Sequence, residues 1–589
     1  MAKSKSTPLK QAAARSQPNA SAPAARPAEN AAVGGPALIN GRRKTSMPEL
    51  FLVVSMGAVI IGLAGAYSSV SQLSLAPIYG SAPAGKYHTA TTLVAAALGS
   101  LGHSYVQRYA RPLITLPILA FYIPTIQFFL FQFSSTLGPV LGPIITETLT
   151  FAPLVALSIV VPGVMIQKLN LDPKLKRGME QGNILAAYAL FNASKGKIEE
   201  NFAEYIGKSL ATTTIGFQFV IATIQAIFLP SKWLVLALPS LLFTATFNHR
   251  VPLPYTTDLL NSSLKADNFT LLHRQESITG YLSVLENTDA KFRVMRCGHS
   301  LLGGEWLPHL MTKDAKVSDP VFTVFTALEA VRLVKKDSHK PEKADSRSSA
   351  LVIGLGIGTT PSAFAAHGIN TTVVEIDRNV HQIAMDYFEF PRSVNTVIEN
   401  ALTFVNRAKE ETPIQKYDYI IHDVFTGGVE PLDLFTQDFM QSLHSMLDDE
   451  GVIAINYAGD IALPLAGLVV RAITSTFPSC RIFRDNKPLP GSSSRRDLTN
   501  MTIFCKKTPG TIKFRIPTPQ DYLGTYSRKE SLIPRLEFSP DAFSKDAEGK
   551  EDALGPSAPK ELAYWQFQGA IGHWHVMRSV LPGSVWEKY

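Results

Sequence analysis

The sequence predicts two unlike halves: an α-helical multi-span membrane domain, then an α/β domain built on a doubly wound parallel sheet. Three observations carry this. Apolar stretches of membrane-spanning length recur between Leu50 and Asn248. From Ala350 to Lys506, short β-rich apolar runs alternate with amphipathic segments, as βαβ units require. The first of those runs ends in three glycines, and an acid-tipped run follows about twenty residues later, an arrangement suited to a nucleotide.

Bulk composition agrees with two or more units. The chain has 589 residues, too many for one core, and only 18% are charged. Its net charge of +8 does not argue for nucleic acid, because the excess sits in the N-terminal tail and beside apolar spans. Three cysteines, Cys297, Cys480 and Cys505, have no paired spacing. Neither a disulfide framework nor a zinc cluster is expected from them, no metal site is assigned, and a reducing compartment fits.

Residues 1–47 are Ala/Ser/Pro-rich and basic, with Lys3, Lys5, Lys10, Arg15, Arg26, Arg42, Arg43 and Lys44 against Glu29. A disordered cytosolic tail is expected, with a mitochondrial leader as the second reading. The membrane domain, residues 48–250, is expected to hold about six spans near 50–70, 88–107, 112–133, 143–166, 209–229 and 231–248. Arg108 and Arg111, then Lys168 to Lys208, mark two intervening loops as cytosolic; with the basic tail this predicts both termini and the soluble domain in the cytosol. Glu147 in the fourth span is a candidate proton-relay or transport residue, or an interfacial acid near its Pro/Gly-rich start. Asn192, Asn261 and Asn268 lie in N-x-S/T triplets that a cytosolic placement would leave unmodified.

A small subdomain at 270–345 is expected to contain a hairpin, Ile278–Glu286 with Phe292–Arg296 turning at Asn287-Thr-Asp289, then a loop at Cys297–Trp306 and a helix at Phe322–Lys336. A charged linker at 335–349 leads to the core, residues 346–507. Its strands are expected at 350–354, 371–376, 394–398, 417–423, 451–457, 479–484 and 500–506, the last two as an antiparallel edge around Pro488–Arg496. Residues 508–589 read as a tail docking on this domain.

Ligand should sit at the carboxyl ends of the parallel strands. The candidates there are Gly354, Gly356 and Gly358 in GLGIG, Glu375 and Asp377 in VVEID, Asn400 with Ala401, and Asp423. Thr359 occupies the third-glycine position of a dinucleotide fingerprint, so the spacing favours an S-adenosylmethionine-type cofactor. Glu375 is the better ribose candidate; Asp377 and Asn400 could equally cap the helices that follow them. His422 is expected to be structural, and His573 and His575 are weak evidence for a metal.

GLGIG, VVEID, ENALTF and YDYIIHDVF together resemble the spermidine/spermine synthase family, over about residues 270–507. The resemblance implies a class I S-adenosylmethionine-methyltransferase-like (Rossmann-like) fold. It also implies S-adenosylmethionine or its decarboxylated form as cofactor, ribose at Glu375, the adenine end at Asn400 and Ala401, and Asp423 in the catalytic position. Aminopropyl transfer to a polyamine would follow. Yet Ile357 stands where that family has an acid in its glycine loop, Thr426 replaces the second strand-four acid, and Phe322 or Phe325 stands where a tyrosine is expected. A polycation needs those counter-charges. Methyl transfer from intact S-adenosylmethionine to an amine-bearing small molecule or protein is therefore the alternative, and a non-catalytic cofactor-binding scaffold another. A homodimer is left open.

Overall fold

Short apolar runs bracketed by glycines and amphipathic helices give the molecule its central sheet, and long apolar helices give it a separate bundle. The computed structural model describes residues 38–39, 42–336, 343–425, 428–487, 496–544, 552–555 and 560–588. Most of the basic tail, part of the 335–349 linker, Thr426 and most of the Pro488–Arg496 turn lie outside these residues.

Leu38–Ile39 (β1) and Arg42–Arg43 (β2) form a two-residue ladder. The bundle then comprises α1 (Met47–Tyr79), α2 (Ser81–Leu101), α3 (His103–Ala110), α4 (Pro112–Phe131), α5 (Ser134–Leu149), α6 (Phe151–Gln167), α7 (Pro173–Tyr205), α8 (Thr214–Phe228) and α9 (Leu238–Thr246). A full capping box opens α1: Ser46 accepts from the Glu49 amide and Glu49 accepts from Ser46 N–H. Three segments are long and apolar enough to cross a bilayer: Met47–Tyr79, Pro112–Phe131 and Ser134–Gln167, the last kinked at Thr150. Thr214–Phe228 and Lys232–Thr246 are apolar but shorter, and α2 is less apolar than the other three.

Two expectations change here. Residues 173–205, expected as a cytosolic loop, form one 33-residue helix. It packs along α1 where Gly65 leaves room: a Cβ there would stand 2.5 Å from the Phe191 carbonyl oxygen. Its charges hid it, because Arg177 and Lys195 bracket a mainly apolar stretch too short to stand out. Glu147 lies inside the bundle rather than on its surface. It is fully buried, and its Oε1 accepts from Ser71 Oγ at 2.9 Å and pairs with His88 Nδ1 at 3.0 Å. His88 Nε2 in turn meets Ser68 Oγ at 2.6 Å.

Helix α10 (Pro254–Leu264) leads into a four-stranded antiparallel meander: β3 (Phe269–Ser277), β4 (Gly280–Asn287), β5 (Phe292–Cys297) and β6 (Ser300–Trp306). The expected hairpin is β4–β5, with Leu282 facing Cys297. The stretch expected as a loop contains β6, whose two glycines allow close approach rather than breaking the strand: a Cβ on Gly303 would meet Ile357 at 2.7 Å. The helix expected at 322–336 is shorter, α11 (Val324–Leu328) followed by a 3₁₀ turn, Glu329–Leu333.

The core sheet has eight strands: β7 (Ser349–Ile353), β8 (Asn370–Glu375), β9 (Asn395–Ile398), β10 (Tyr417–Asp423), β11 (Leu447–Asp460), β12 (Ser479–Arg484), β13 (Leu498–Lys506) and β14 (Leu536–Phe538). Their order is β14-β12-β13-β11-β10-β7-β8-β9, parallel from β9 to β11 and antiparallel beyond. Inserting β13 between β11 and β12 is the class I S-adenosylmethionine-methyltransferase-like arrangement. Helices α12 (Thr359–Ala366), α13 (Arg378–Tyr387), α14 (Ala401–Glu410), α15 (Gln437–Met446) and α16 (Pro464–Thr476) cover the two faces, whose cores centre on Ile420 and Ile453 on one side and Val352 and Phe504 on the other. The chain reverses direction of winding between β7 and β10, and ligands bind at such a point.

The cysteine expectation fails. β12 and β13 place Cys480 directly opposite Cys505, and the two form a disulfide. The pair is 25 residues apart and only the antiparallel register brings it together, so spacing alone could not show it. Cys297 is buried, its Sγ donating to Thr279 O at 3.3 Å.

After α17 (Tyr526–Ser531), the chain ends in α18 (Leu562–Val580) and α19 (Gly583–Glu587), which wedge between bundle and core. Trp574 Nε1 donates to Ile78 O at 2.9 Å, and Arg578 donates to Ser134 Oγ at 2.9 Å. Arg296 Nη2 donates to Pro77 O at 2.6 Å. Carbonyls at the C-terminal end of α1 have no intrahelical partner; here Arg296 of β5 and Trp574 of α18 supply donors.

Candidate active site

A cavity of about 810 Å³ opens at the carboxyl ends of β7, β8 and β10. Its floor is the loop after β7. Gly354 has φ 89°, and a Cβ there would stand 2.0 Å from the Asp423 carbonyl oxygen. Gly356 has φ 56°, and its Cβ would meet Leu302 O at 2.6 Å. Only glycine lets this loop lie so close to both β10 and β6. Gly358 instead N-caps α12 and faces Phe390, outside the cavity.

Glu375 lines the cavity from the tip of β8. Its Oε2 accepts from Leu355 N–H at 3.0 Å and its Oε1 from Asp377 N–H at 2.9 Å, so the carboxylate stitches the glycine loop to the strand end. Burial pushes it up to about 7 despite those donors. Asp377 is not brought into the cavity. Its Oδ1 accepts from Ser277 Oγ at 2.6 Å and from Asn379 N–H at 2.9 Å, and its Oδ2 from Thr279 Oγ1 at 2.6 Å. It caps α13 and ties the meander to the core. Asn400 both lines the cavity and caps α14, accepting from Leu402 N–H at 2.8 Å, with Ala401 beside it.

Asp423 ends β10 inside the cavity, and its Oδ1 accepts from Asn456 Nδ2 at 2.8 Å. The two residues are register partners on β10 and β11. Burial pushes the Asp423 carboxyl up to about 6, and the Asn456 bond opposes the shift. His422 faces away, bonded to Leu434 O at 2.8 Å. Ile357 does not line this cavity but packs on Gly303, so its missing charge leaves the main chamber unchanged.

Beyond Asp423 the same cavity continues past residues that sequence reasoning did not select: Phe425, Glu430, Asn456, Asp485, Asn500 and His573. Burial raises Glu430 to about 7, with Tyr457 OH donating to it at 3.4 Å. His573, on α18, packs against Phe425, and burial holds it down at about 4, so it is neutral at physiological pH. Asn456 was findable by the strand-end rule. Glu430 and His573 had no local signal, because a loop and a distant helix bring them in.

This donor set suits an S-adenosylmethionine-class cofactor. A Cβ at Gly354 or Gly356 would collide with neighbouring backbone, Glu375 and Asn400 line one end of the cavity, and beyond Asp423 it is lined by the acids Glu430 and Asp485. When bound, such a cofactor supplies a carbon activated by its sulfonium. Among the described residues, no group of three or more His, Cys, Asp or Glu is placed to hold a metal.

Activity should track the ionised form of Asp423. A turnover-versus-pH profile is expected to fall as pH drops through about 6. The sign is opposite for stability: a carboxyl raised above its unfolded value binds its proton more tightly when folded, so this site's contribution to stability grows below about 6.

The spermine/spermidine synthase domain family matches residues 335–466. A polyamine aminopropyltransferase of Vibrio vulnificus is 31% identical over 191 residues, 32% of this chain and 59% of that protein. Among solved structures, a probable spermidine synthase from Corynebacterium glutamicum aligns over 49% of this chain and 96% of its own, at 16% identity and a TM-score of 0.35. Human methyltransferase-like protein 13, solved with SAH, aligns over 36% and 94% respectively, at 23% identity and a TM-score of 0.27. Over 547 residues, however, the chain is 44% identical to the N-terminal histidine N-methyltransferase of Emericella nidulans, covering 90% of this chain and 97% of that protein. The match takes in the helical bundle as well as the core, and on it the chain belongs to the family of that N-terminal histidine N-methyltransferase.

Proposed function

We propose that this protein is a membrane-embedded, S-adenosylmethionine-dependent methyltransferase whose acceptor is the N-terminal histidine of a protein or peptide. The near full-length identity to the Emericella nidulans enzyme carries the reading. The cavity supports it. Gly354, Leu355 and Gly356 line it, and backbone N–H groups of such a loop can hold the carboxylate of intact S-adenosylmethionine. With the 44% identity over 547 residues, this favours methylation over aminopropyl transfer.

In this reading Asp423, held by Asn456, orients the acceptor nitrogen and takes its proton. Glu430 stands further along the chamber as a second carboxylate for a cationic acceptor. Phe425 and the neutral His573 offer flat faces on which an imidazole can stack. Catalysis rests mainly on holding donor and acceptor in line.

The membrane setting is part of the proposal. Three helices have spanning length and composition, and the bundle surface carries apolar side chains such as Phe51, 75% exposed, and Ile227, 69% exposed, that water would not favour. The test is a full-length preparation in lipid nanodiscs with S-adenosylmethionine and a peptide beginning with His. Mass spectrometry should find one added methyl on that residue. Transfer only to a polyamine, and only from decarboxylated cofactor, would reject the reading.

A further inference from the structure

The chain does not return the catalytic half to the side on which it starts. At one end of the bundle, Thr45 N–H donates to Asn170 O at 3.2 Å and Asn170 N–H to Thr45 Oγ1 at 2.8 Å. Gln107 Nε2 donates to Gln167 Oε1 at 2.6 Å, and Lys176 Nζ to Gln167 O at 2.7 Å. Residues 45, 107, 167–170 and 176 therefore share that end. It carries Lys44, Arg108, Arg111, Lys168, Lys174 and Lys176.

The opposite end docks on the catalytic half. Pro77 and Ile78 meet Arg296 and Trp574, Ser134 meets Arg578, and Thr214 N–H donates to Glu276 Oε2 at 2.6 Å. Gly207 lies against the Glu276 carbonyl. Following the chain, α1 runs from the basic end to the docked end, α2 with α3 returns, α4 goes across, α5 with α6 returns, and α7 goes across again. Helix α1 alone, at 33 residues, is about 50 Å long, ample for a bilayer core of about 30 Å. The remaining pair, α8 and α9, does not alter the parity, because Thr214 before it and His249 after it both meet β3, at Glu276 and Arg274.

Five passages are odd. Basic short loops stay cytosolic, so the basic end is the cytosolic one and the catalytic half lies across the membrane from it. The Cys480–Cys505 disulfide independently points to an oxidising compartment. That places the N-x-S/T triplets where glycan transfer occurs, and the structure separates the three. Asn192 lies within α7, its Nδ2 bonded to Tyr188 O at 3.0 Å. Asn261 uses its whole carboxamide as a clamp: Oδ1 accepts from Leu271 N–H at 2.7 Å and Nδ2 donates to Leu271 O at 3.3 Å. Asn268 is exposed, in a left-handed turn at φ 60° just ahead of β3, with Thr270 two residues on.

We propose that the catalytic domain faces the lumenal, oxidising side of the membrane and that Asn268 carries an N-linked glycan there. The Asn268 amide nitrogen bonds to the anomeric carbon of a polyprenyl-diphosphate-linked oligosaccharide. The sugar–diphosphate bond breaks, the lipid diphosphate leaves, and the amide nitrogen gives up one proton. A cytosolic catalytic domain, expected when residues 173–205 were read as a loop, is replaced by this arrangement. The proposal rests on the membrane part of the functional reading above.

The experiment uses the full-length chain in sealed microsomes from a eukaryotic host. Protease added outside should remove the N-terminal tail and leave the 254–588 region protected, as seen by mass spectrometry of the surviving peptides. Peptide-N-glycosidase should shift the wild type and Asn192→Gln but not Asn268→Gln. Digestion of the 254–588 region in intact vesicles would overturn the topology. Protection without a glycan on Asn268 would overturn the modification site. Release of the whole chain by alkaline carbonate would instead reject the membrane reading itself while leaving methyl transfer untouched.

Discussion

Asp423→Asn is expected to lower kcat for methyl transfer by about 10²–10⁴-fold while S-adenosylmethionine affinity stays nearly unchanged. The substitution keeps the shape of the side chain, and an amide oxygen can still accept from Asn456 Nδ2, so the end of β10 should hold its place. What is lost is the capacity to take a proton from the acceptor nitrogen. The acidic limb of the pH profile near 6 should vanish with it. Calorimetry with the cofactor and single-turnover kinetics with a histidine-initiated peptide check the two halves of the expectation. A variant with full turnover and an intact acidic limb would remove Asp423 from the chemistry.

Gly354→Val should abolish cofactor binding altogether. The new Cβ would stand 2.0 Å from the Asp423 carbonyl oxygen, far inside van der Waals contact, in a left-handed conformation that a β-branched residue resists. Relief requires the glycine loop to lift away from β10, which carries Leu355 N–H off Glu375 and spoils the nucleoside end of the cavity. Gly368→Ala is the control. Gly368 also has a positive φ, 80°, but nothing closer than 3.9 Å to its Cβ and no place in the cavity. It should cost about 1–2 kcal/mol of stability and keep S-adenosylmethionine binding. Thermal shift with and without cofactor separates the two: Gly354→Val should show no ligand-induced shift, Gly368→Ala a lowered but still responsive transition.

The core sheet was legible in the sequence because its parallel strands are buried on both faces. That makes them unbroken apolar runs such as Ala350–Ile353 and Tyr419–Ile421, and the turns beside them need glycine or a helix cap. Asp423 and Glu375 were legible for the same reason, as acids at strand ends. Asp377 stayed open between two roles because a cap and a ligand contact look alike in sequence, and its partners Ser277 and Thr279 are about a hundred residues away. Glycine-rich β6 and charge-rich α7 each disguised regular structure as loop, since neighbours rather than local propensity stabilise them. The disulfide and the far wall of the cavity were out of reach for one reason: Cys480 with Cys505, and Glu430 with His573, become neighbours only through tertiary pairing.

Helix α18 belongs to two structures at once. One side contributes Gly569, His573 and Met577 to the cavity wall, while Trp574 and Arg578 grip the end of α1 and the start of α5. The cavity is thus not carried by the core domain alone. Cutting the chain after the bundle would take Ile78 from Trp574, Pro77 from Arg296 and Ser134 from Arg578, and leave a pocket wall without part of its footing. One helix thus ties the wall of the candidate site to the end of the bundle, so a change that shifts α1 or α5 is felt at the cavity.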